Sequence, residues 1–380
     1  MAHLPNDTAE GGQFTMLLLQ DNSTQQSSNA TPVDSVVHMD FADRFIAYTV
    51  LAGAGLCFNI ISFAALCHMR GQKSVHHVFL QNLAVCDMLG TVLLWMYYNS
   101  PYIFPKFSVS RMEHCMFIAL VLVAPFLLSL CSSCLALLML AFNQYMAICN
   151  PLFAATRISR GTACCCIVAC WILTVVLAVV PAFLMLALSS FEHCAHYAQQ
   201  IAVKAVEVCT YVLTGLIILI IALYGRIYRE VLDYRKRMPQ LQLRSPRDTS
   251  HTGRRSETEH NFKAFITTFL LSGTLVIFWI PFMVIHFISA HIDYELIPDS
   301  VYYLKFYFVD FLPMLNFMTD PIIYGIRMRE IRSGYKRLFA KLFPKAQFRN
   351  VHWSLFVCYI LVKINVVFYT PISMQRVLVV

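Results

Sequence analysis

The segment CCCIVACWILTVVLAVVPAFLMLAL, residues 164–188, is 25 residues long and contains no charged side chain. A bilayer core about 30 Å thick needs about 20 residues of helix to cross it. Six further stretches have the same apolar character, and they are residues 46–69, 78–102, 115–142, 206–224, 264–290 and 302–326. The sequence therefore predicts an all-α fold, a bundle of seven transmembrane helices.

Composition and charge agree with a membrane protein. Of the 380 residues, 58% are hydrophobic and 13% are charged, whereas about a quarter of the residues in a soluble domain are charged. The net charge is +8, and 24 of the 29 Lys and Arg residues lie on one side of the predicted bundle. The positive-inside rule makes that side cytoplasmic. We therefore expect a multi-pass plasma-membrane protein with its N-terminus outside, its C-terminus inside and no nucleic-acid partner.

Four regions follow from this topology: an extracellular tail at 1–44, the bundle at 45–327, an amphipathic helix at 328–343 and a cytoplasmic tail at 344–380. Glycosylation sequons begin at Asn6, Asn22 and Asn29, as expected for a lumenal segment. We expect no cleaved signal peptide, because the early apolar run at 16–19 is too short. The helix at 328–343 has apolar residues at helical spacing between basic ones. The apolar stretch at 353–370 is interpreted as a membrane-surface segment rather than an eighth span.

Connections between the spans carry further expectations. Residues 234–255 are Arg-rich and are predicted to form a cytoplasmic loop, and His76 and His77 are assigned to a cytoplasmic turn. Most of the 14 cysteines fall within spans or at cytoplasmic ends, where Cys acts as a small hydrophobe. Cys115, at the outer end of the third span, and Cys194, in the next outer loop, lie in an oxidising compartment. A disulfide between them is expected, and two free thiols are the alternative.

Polar residues inside the apolar stretches carry the functional signal. The set is Asn59, Asp87, Ser133, Asn316 and Asp320. An ionisable group in hydrocarbon costs several kcal/mol and usually faces the bundle interior. Two carboxyl groups with hydroxyl and amide oxygens would hold a small hard cation such as sodium, or would share a proton. Alternatively, each polar group only hydrogen-bonds to neighbouring helices.

Short motifs in the spans together resemble the rhodopsin-like, or class A, G-protein-coupled receptor family. They are Asn59 after GLCF, NLAVCD at 82–87, NQY at 143–145, Trp171, Tyr224, FWIP at 278–281 and DPIIY at 320–324. Each motif alone is a weak signal, but their order and spacing cover most of the chain. The resemblance implies a receptor with no catalytic residues and no cofactor beyond a possible sodium ion at Asp87.

The resemblance also implies how such a receptor would work. A ligand above Trp279 would swing the inner end of the sixth helix outward and open a crevice for a heterotrimeric G protein, with arrestin as a second partner. Pro281 and Pro321 each remove a backbone donor from a helix, and Tyr224 and Tyr324 complete the predicted activation switch. Membrane lipids surround the bundle.

The predicted G-protein-facing residues depart from the family pattern. They are Asn143, Gln144 and Tyr145, so neutral Gln144 replaces the arginine that would reach into a G protein. The acidic partner at the inner start of the sixth span is also absent, and Asn261 lies there. Because both halves of the inactive-state ion pair are missing, we expect raised basal activity or weak coupling.

The ligand class is narrowed by exclusion. Phe126 lies where an aminergic receptor has Asp, and Met314 lies where an opsin has its retinal lysine. The predicted ligand cavity comprises Tyr97, Phe126, Trp279, His286, Phe306 and Asp310. Such a mainly aromatic cavity suits a lipid-like, odorant-like or peptide ligand with one polar handle. Asp310 has the alternative of pairing with Lys305 or His286 as part of the structure.

Signals for the subfamily conflict. The sequence around Asn316 and Asp320 resembles melanocortin receptors and their lipid-receptor relatives, whereas residues 140–152 resemble an odorant receptor. We therefore expect a receptor whose ligand the sequence does not identify, with an odorant or chemosensory receptor as the alternative. A secondary transporter is a more distant alternative, because the sequence shows no repeated halves with broken helices. A metalloenzyme would need clustered ligands, and the 13 histidines are scattered.

Overall fold

The computed structural model describes residues 41–69, 74–103, 124–188, 194–244, 250–291, 301, 304–305 and 308–342. Its long helices are α1 Phe41–Cys67, α2 Val75–Ile103, α3 Ala124–Cys149, α4 Arg160–Leu188, α5 Cys194–Arg244, α6 Ser250–His291 and α7 Leu312–Arg327. A short helix, Pro151–Arg157, lies between α3 and α4. A 3-10 turn, Val309–Phe311, leads into α7, and α8, Arg329–Leu342, follows it.

The helices confirm the predicted seven-helix bundle. Helices α1 to α6 each contain a segment that is long and apolar enough to cross a membrane. Helix α7 has only 16 residues, but the preceding 3-10 turn gives a continuous helical segment from Val309 to Arg327. In hydrocarbon every backbone polar group must be satisfied within the chain, which favours helices over any open structure.

Helix α3 forms the centre of the bundle. Of its most apolar segment, 78% is buried, against 17% for α4, and it packs against α2, α4, α5 and α6. Helix α7 packs against α1, α2 and α6 and closes the bundle. Polar residues carried by α1, α2, α3 and α7 therefore point towards one interior.

Helix α8 is the predicted amphipathic helix, and it packs on the inner end of α1. Its face towards α1 includes Ile331, Gly334 and Tyr335, and all three are buried. The Tyr335 hydroxyl forms a hydrogen bond with Ser62 Oγ, and Arg337 Nη1 donates to the His68 carbonyl oxygen at 3.1 Å. Burial raises the pKa of Tyr335 above its ordinary value, so its hydroxyl stays protonated.

Three expectations about the connections are wrong. Helix α5 continues to Arg244 and α6 begins at Ser250, so most of the predicted 234–255 loop is helical. Helix α5 begins at Cys194, which the sequence had placed in a loop. The reason is that Ala, Gln, Lys and Arg, which are frequent in these segments, are good helix formers, so a helix does not end where its apolar run ends.

The third correction concerns His76 and His77, which lie in the first turn of α2 rather than in a turn between spans. The Ser74 backbone N–H donates to His77 Nδ1 at 3.2 Å, and Ser74 Oγ lies 2.8 Å from the same nitrogen. This contact of Ser74 with the His77 side chain lies at the start of the helix, three residues before the apolar run begins, because polar groups that bond the first turn extend a helix beyond its apolar residues.

Several predictions lie outside the described residues. They concern the tail with its sequons at Asn6, Asn22 and Asn29, the third-span residues before Ala124 including Cys115, Phe306, and residues 343–380. The side chains of Cys194 and His286 also lie outside them. The disulfide, the glycosylation sites and the interpretation of residues 353–370 therefore stay predictions.

The contact between α8 and α1 predicts a sharp sensitivity at Gly334. A Cβ atom there would overlap the Ala65 carbonyl oxygen, which belongs to backbone and cannot rotate away. We expect Gly334→Ala to destabilise the protein by about 1–3 kcal/mol, as overpacking does. Gly53→Ala is the matched control, because a Cβ at Gly53 would meet nothing within 4 Å.

Thermal unfolding of the detergent-solubilised protein, followed with a thiol-reactive dye, measures the difference. Cys86, Cys131 and Cys134 are buried and report the loss of packing as they become reactive. Equal melting temperatures for Gly334→Ala and Gly53→Ala would contradict the close packing of α8 on α1.

Candidate ligand cavity and signalling core

The five predicted intramembrane polar residues converge from four helices. Asn59 on α1, Asp87 on α2, Ser133 on α3, and Asn316 and Asp320 on α7 are each 0% exposed. Ser133 Oγ donates to Asp87 Oδ1 at 3.4 Å, and the carboxyl groups of Asp87 and Asp320 are close enough to interact. The structure thus brings the predicted set together, while its function stays a prediction.

This polar cluster contains oxygens that the described part of the chain does not satisfy. They are Asp87 Oδ2, both carboxyl oxygens of Asp320 and the side-chain oxygens of Asn59 and Asn316. A buried polar atom without a partner is costly. Carboxylate and amide oxygens are the donors that small hard cations prefer, so these residues fit a sodium ion. Among the described residues, no three His, Cys, Asp or Glu side chains form a metal-binding group.

Asn59 illustrates the alternative, structural use of a polar residue. Pro321 lies inside α7 and has no N–H to donate to the carbonyl oxygen of Phe317, four residues earlier. Asn59 Nδ2 donates to that oxygen at 2.8 Å and to the Gly55 carbonyl oxygen at 3.0 Å. The Asn59 amide group therefore replaces the hydrogen bond that Pro321 removes and joins α1 to α7.

Trp279 lies between the polar cluster and the outer half of the bundle. It is 1% exposed, and its ring makes edge contacts with Phe282, at a centroid distance of 5.6 Å, and with Phe317, at 6.4 Å. Phe317 fits against α2 because residue 90 is glycine: a Cβ there would lie 2.7 Å from Phe317 Cζ. Trp279 is therefore in direct contact with both phenylalanine rings.

An aromatic cluster fills the outer half between α2, α3 and α6. The Phe126 ring lies 4.8 Å from that of Tyr97 and 5.8 Å from that of Phe282. Phe282 is thus the contact between Phe126 and Trp279. The sequence includes Tyr97, Phe126 and Trp279 in the predicted cavity, and the structure links them through this fourth ring.

Asp310 takes the structural role that the sequence left open as an alternative. Lys305 Nζ lies 3.2 Å from Asp310 Oδ2 and 3.5 Å from Oδ1, and Asp310 is 4% exposed. Next to it, Tyr48 stacks between Tyr98, at 4.6 Å, and Phe311, at 4.4 Å. Sequence reasoning missed Tyr48, since one tyrosine in an apolar span carries no signal of its neighbours.

The inner end of α3 contains the residues predicted to face a G protein. Asn143 and Tyr145 are half-buried, but Gln144 is only 2% exposed and its Nε2 lies 3.2 Å from His76 Nδ1. The side chain at the position of the family's arginine is therefore bonded to α2. The sequence did not indicate this partner, because it placed His76 outside the helix.

Helices α5 and α6 are joined by neutral groups within their membrane-crossing segments. Ser272 Oγ donates to the Tyr224 hydroxyl oxygen at 3.3 Å, and the Tyr224 ring lies 5.9 Å from Phe265 and 5.6 Å from Phe269. Tyr324 on α7 is 0% exposed, and its hydroxyl makes no hydrogen bond among the described residues. The remaining predicted switch residues thus lie inside the bundle.

Two further motif residues meet directly. Trp171 Nε1 on α4 donates to Asn82 Oδ1 on α2 at 3.0 Å. This bond gives α4, which is otherwise mostly exposed, a polar attachment to the bundle.

Comparison with known proteins identifies the family. Residues 58–324 match the family model described as 7 transmembrane receptor (rhodopsin family). Cannabinoid receptor 1 of Xenopus laevis is 24% identical over 324 residues, which make up 83% of this chain and 65% of that receptor. Melatonin receptor type 1A-A of Danio rerio is 23% identical over 307 residues, 77% of this chain and 79% of that receptor. A 5-hydroxytryptamine receptor of Lymnaea stagnalis is 35% identical over 93 residues, 24% of this chain and 18% of that receptor.

The chain thus spans slightly less than two thirds of the cannabinoid receptor it matches. The similar proteins are receptors rather than enzymes or transporters, and they do not favour the odorant interpretation. The family model begins within α1 and ends within α7, so it includes the polar cluster, Trp279 and the inner end of α3. The chain is therefore a multi-pass membrane protein and belongs to the rhodopsin family of seven-transmembrane receptors.

Proposed function

We propose that this chain binds an extracellular ligand in its outer aromatic cluster and signals to a heterotrimeric G protein by opening its cytoplasmic face. One observation carries the proposal: a continuous series of contacts runs from Phe126 through Phe282 and Trp279 to Phe317. The carbonyl oxygen of Phe317 is bonded to Asn59 at the polar cluster. A ligand that displaces Phe126 would therefore act, through these ring contacts, on the polar cluster at the centre of the membrane.

Helix α6 is suited to convert that displacement into movement of its inner end. Pro281 lies inside α6 two residues after Trp279, and a proline removes one backbone hydrogen bond and weakens the helix at that point. Among the described residues, the neutral bond of Ser272 to Tyr224 links α5 and α6. Such a bond contributes about 1 kcal/mol. A ligand that binds the open receptor only modestly more tightly than the closed receptor is therefore enough to break this bond.

We infer the ligand class from the side chains of the predicted cavity. Phe126 and its neighbours offer aromatic surface, and the charge of Asp310 is compensated by Lys305. A lipid-like or other apolar small molecule with one polar handle fits this surface. The names of the cannabinoid and melatonin receptors among the similar proteins favour a small molecule over a peptide. The orientation with the N-terminus outside the plasma membrane and the C-terminus inside belongs to this proposal.

At the cytoplasmic face, Gln144 replaces the arginine of the family pattern, and we expect this replacement to alter coupling to the G protein. Gln144 bonds His76, and no charged pair joins the inner ends of α3 and α6 in the described residues. By resemblance to the family, both halves of the inactive-state ion pair are replaced by neutral residues, Gln144 and Asn261, so we expect packing and neutral hydrogen bonds to hold the inactive state. Because the inactive state is less strongly stabilised, basal activity is expected to be raised. Arrestin recruitment and G-protein activation are expected to differ in their dependence on ligand.

A small-molecule screen tests the function directly. Ligand-stimulated nucleotide exchange and arrestin recruitment are measured in parallel in cells that express the full chain. With an active compound, Phe282→Ala is expected to raise the half-maximal concentration at least about tenfold, since a tenfold loss corresponds to about 1.4 kcal/mol of lost contact. Phe287→Ala is the matched control, because Phe287 lies one turn away on α6 and is 38% exposed.

Two results would contradict the receptor proposal. One is equal loss of response in Phe282→Ala and Phe287→Ala at equal surface expression. The other is substrate flux into liposomes with no nucleotide exchange, which would support a transporter.

The polar cluster predicts a specific effect of sodium on stability. Wild-type protein is expected to melt at a higher temperature in sodium chloride than in choline chloride at the same ionic strength, because a cation bound only to the folded state stabilises it. Asp87→Asn removes one charge of the site and is expected to abolish the difference. Asp310→Asn, a second buried acid that is paired with Lys305, is expected to keep it. Equal melting in both salts would favour the shared-proton alternative for Asp87 and Asp320.

The inner end of α3 predicts altered basal signalling. Basal second-messenger levels in cells with the wild-type receptor are expected to exceed those of mock-transfected cells. Gln144→Arg is expected to increase coupling, because by resemblance an arginine at this position reaches into the G protein. Gln81→Arg is the control, since Gln81 lies near the inner end of α2 and contacts Cys67 instead. Basal levels equal to mock, together with no effect of Gln144→Arg, would rule out the idea.

A further inference from the structure

Three consecutive cysteines lie near the inner end of α4. Cys164, Cys165 and Cys166 are all exposed. The side of α4 that packs on the bundle is marked instead by the buried residues Ala163, Thr174 and Ala178. The three thiols therefore face the surroundings of the bundle rather than its core.

Their depth follows from the helix geometry. Helix α4 begins at Arg160, and Arg157 precedes it in the short helix. At 1.5 Å per residue, the three cysteines lie about 6–9 Å along the axis from Arg160. The headgroup region on each side of a bilayer is about 5–8 Å thick. With the two arginines among the headgroups, the thiols lie at the border between headgroups and hydrocarbon.

Two other uses of clustered cysteines do not fit this geometry. Successive residues of a helix point about 100° apart, so the three sulfur atoms cannot converge on one metal ion or pair with each other as a disulfide. Among the described residues no metal-binding group of His, Cys, Asp or Glu is formed. The thiols are free, accessible and close to a lipid surface.

We propose that Cys164, Cys165 and Cys166 form an S-acylation site that accepts a long-chain fatty acyl group from an acyl-CoA thioester. Cysteines beside a membrane are typical acceptors of such groups. The cysteine sulfur attacks the acyl carbon, a new sulfur–carbon bond forms, and the bond from that carbon to the coenzyme A sulfur breaks. The proton of the cysteine thiol ends on the released coenzyme A thiol, so no oxidant or reductant is needed.

The surface beyond the thiols suits the attached chain. Val168, Ile172 and Val176 follow along α4 towards the membrane centre and are 57%, 61% and 46% exposed. An acyl chain bonded to a cysteine at the headgroup border would lie along these side chains without displacing any core residue. Arg157 and Arg160 add positive charge where the polyanionic coenzyme A must approach.

Five other cysteines of the described residues are less suitable, and Cys149 and Cys170 are only partly exposed. Cys86, Cys131 and Cys134 are buried. Cys57 is exposed on α1, but it lies ten residues before the end of that helix at Cys67, about 15 Å deeper into the membrane. Cys67 is exposed at the inner end, but its sulfur accepts a hydrogen bond from Gln81 Nε2 at 3.5 Å. The position and number of thiols therefore favour α4.

The proposed site rests on the proposed orientation, because acyl-CoA is supplied on the cytoplasmic side. An epitope inserted between Arg244 and Ser250 tests that orientation separately, since this connection lies on the same side as the start of α4. Antibody access only after permeabilisation is expected. Access in intact cells would overturn the orientation and, with it, the acylation site.

The acylation site itself is tested on the full chain by exchanging each thioester-linked acyl group for a polyethylene glycol tag after hydroxylamine treatment. Each acylated cysteine then adds one step to the gel mobility, and the wild type is expected to show up to three steps from this site. The triple variant Cys164→Ser, Cys165→Ser, Cys166→Ser is expected to lose them. Cys57→Ser, an exposed cysteine at hydrocarbon depth, is the matched control and is expected to keep them.

Two comparisons make the outcome decisive. The triple alanine variant is measured beside the triple serine variant, and surface expression is measured for both, so that a folding defect in one does not hide the result. Cys358→Ser is measured in parallel and is expected to remove at most one step. A ladder that persists in both triple variants, or that disappears only in Cys358→Ser, would overturn the acylation site while leaving the receptor function untouched.

Discussion

Every polar group that these helices carry into hydrocarbon must find its partner inside the bundle, and this constraint organises the structure. The bond from Asn59 to the Phe317 carbonyl oxygen shows how it operates. Pro321 is a helix-weakening residue at the middle of a membrane, and it is tolerated because an amide group from α1 satisfies the oxygen that the proline leaves without a donor. A point of weakness in α7 is thereby tied to another helix rather than exposed to lipid.

The same constraint places the polar cluster directly below the aromatic one. Asp87, Asn316 and Asp320 retain oxygens that no described side chain satisfies, and they are separated from the outer aromatic rings by Trp279 and Phe317. The outer half is held by ring contacts, whereas the polar half contains buried groups that are costly to leave without hydrogen-bond partners. In the proposed function, a ligand that shifts the rings would act on groups whose arrangement is costly to disturb, and this cost would favour a two-state response.

Two of the polar contacts between helices are neutral. Gln144 is held by His76 and Tyr224 by Ser272, and neither bond involves a full pair of opposite charges. Helix α8 is in contrast held firmly, because Gly334 allows backbone contact with α1 and Tyr335 bonds Ser62. We therefore expect the contact between α1 and α8 to persist when, in the proposed function, α5 and α6 move apart.

The seven spans, the amphipathic α8 and the five intramembrane polar residues were determined by the sequence alone, because apolar length, helical spacing and the cost of buried charge are properties of local segments. The partners of Asn59, Gln144 and Asp310 were decided only by the tertiary structure. So were the helix ends at Ser74, Cys194 and Arg244, since caps and helix-forming polar residues extend a helix beyond its apolar run. Contacts between helices depend on how each helix is rotated and shifted against its neighbours, and that choice is made by packing across the whole bundle rather than within any one segment.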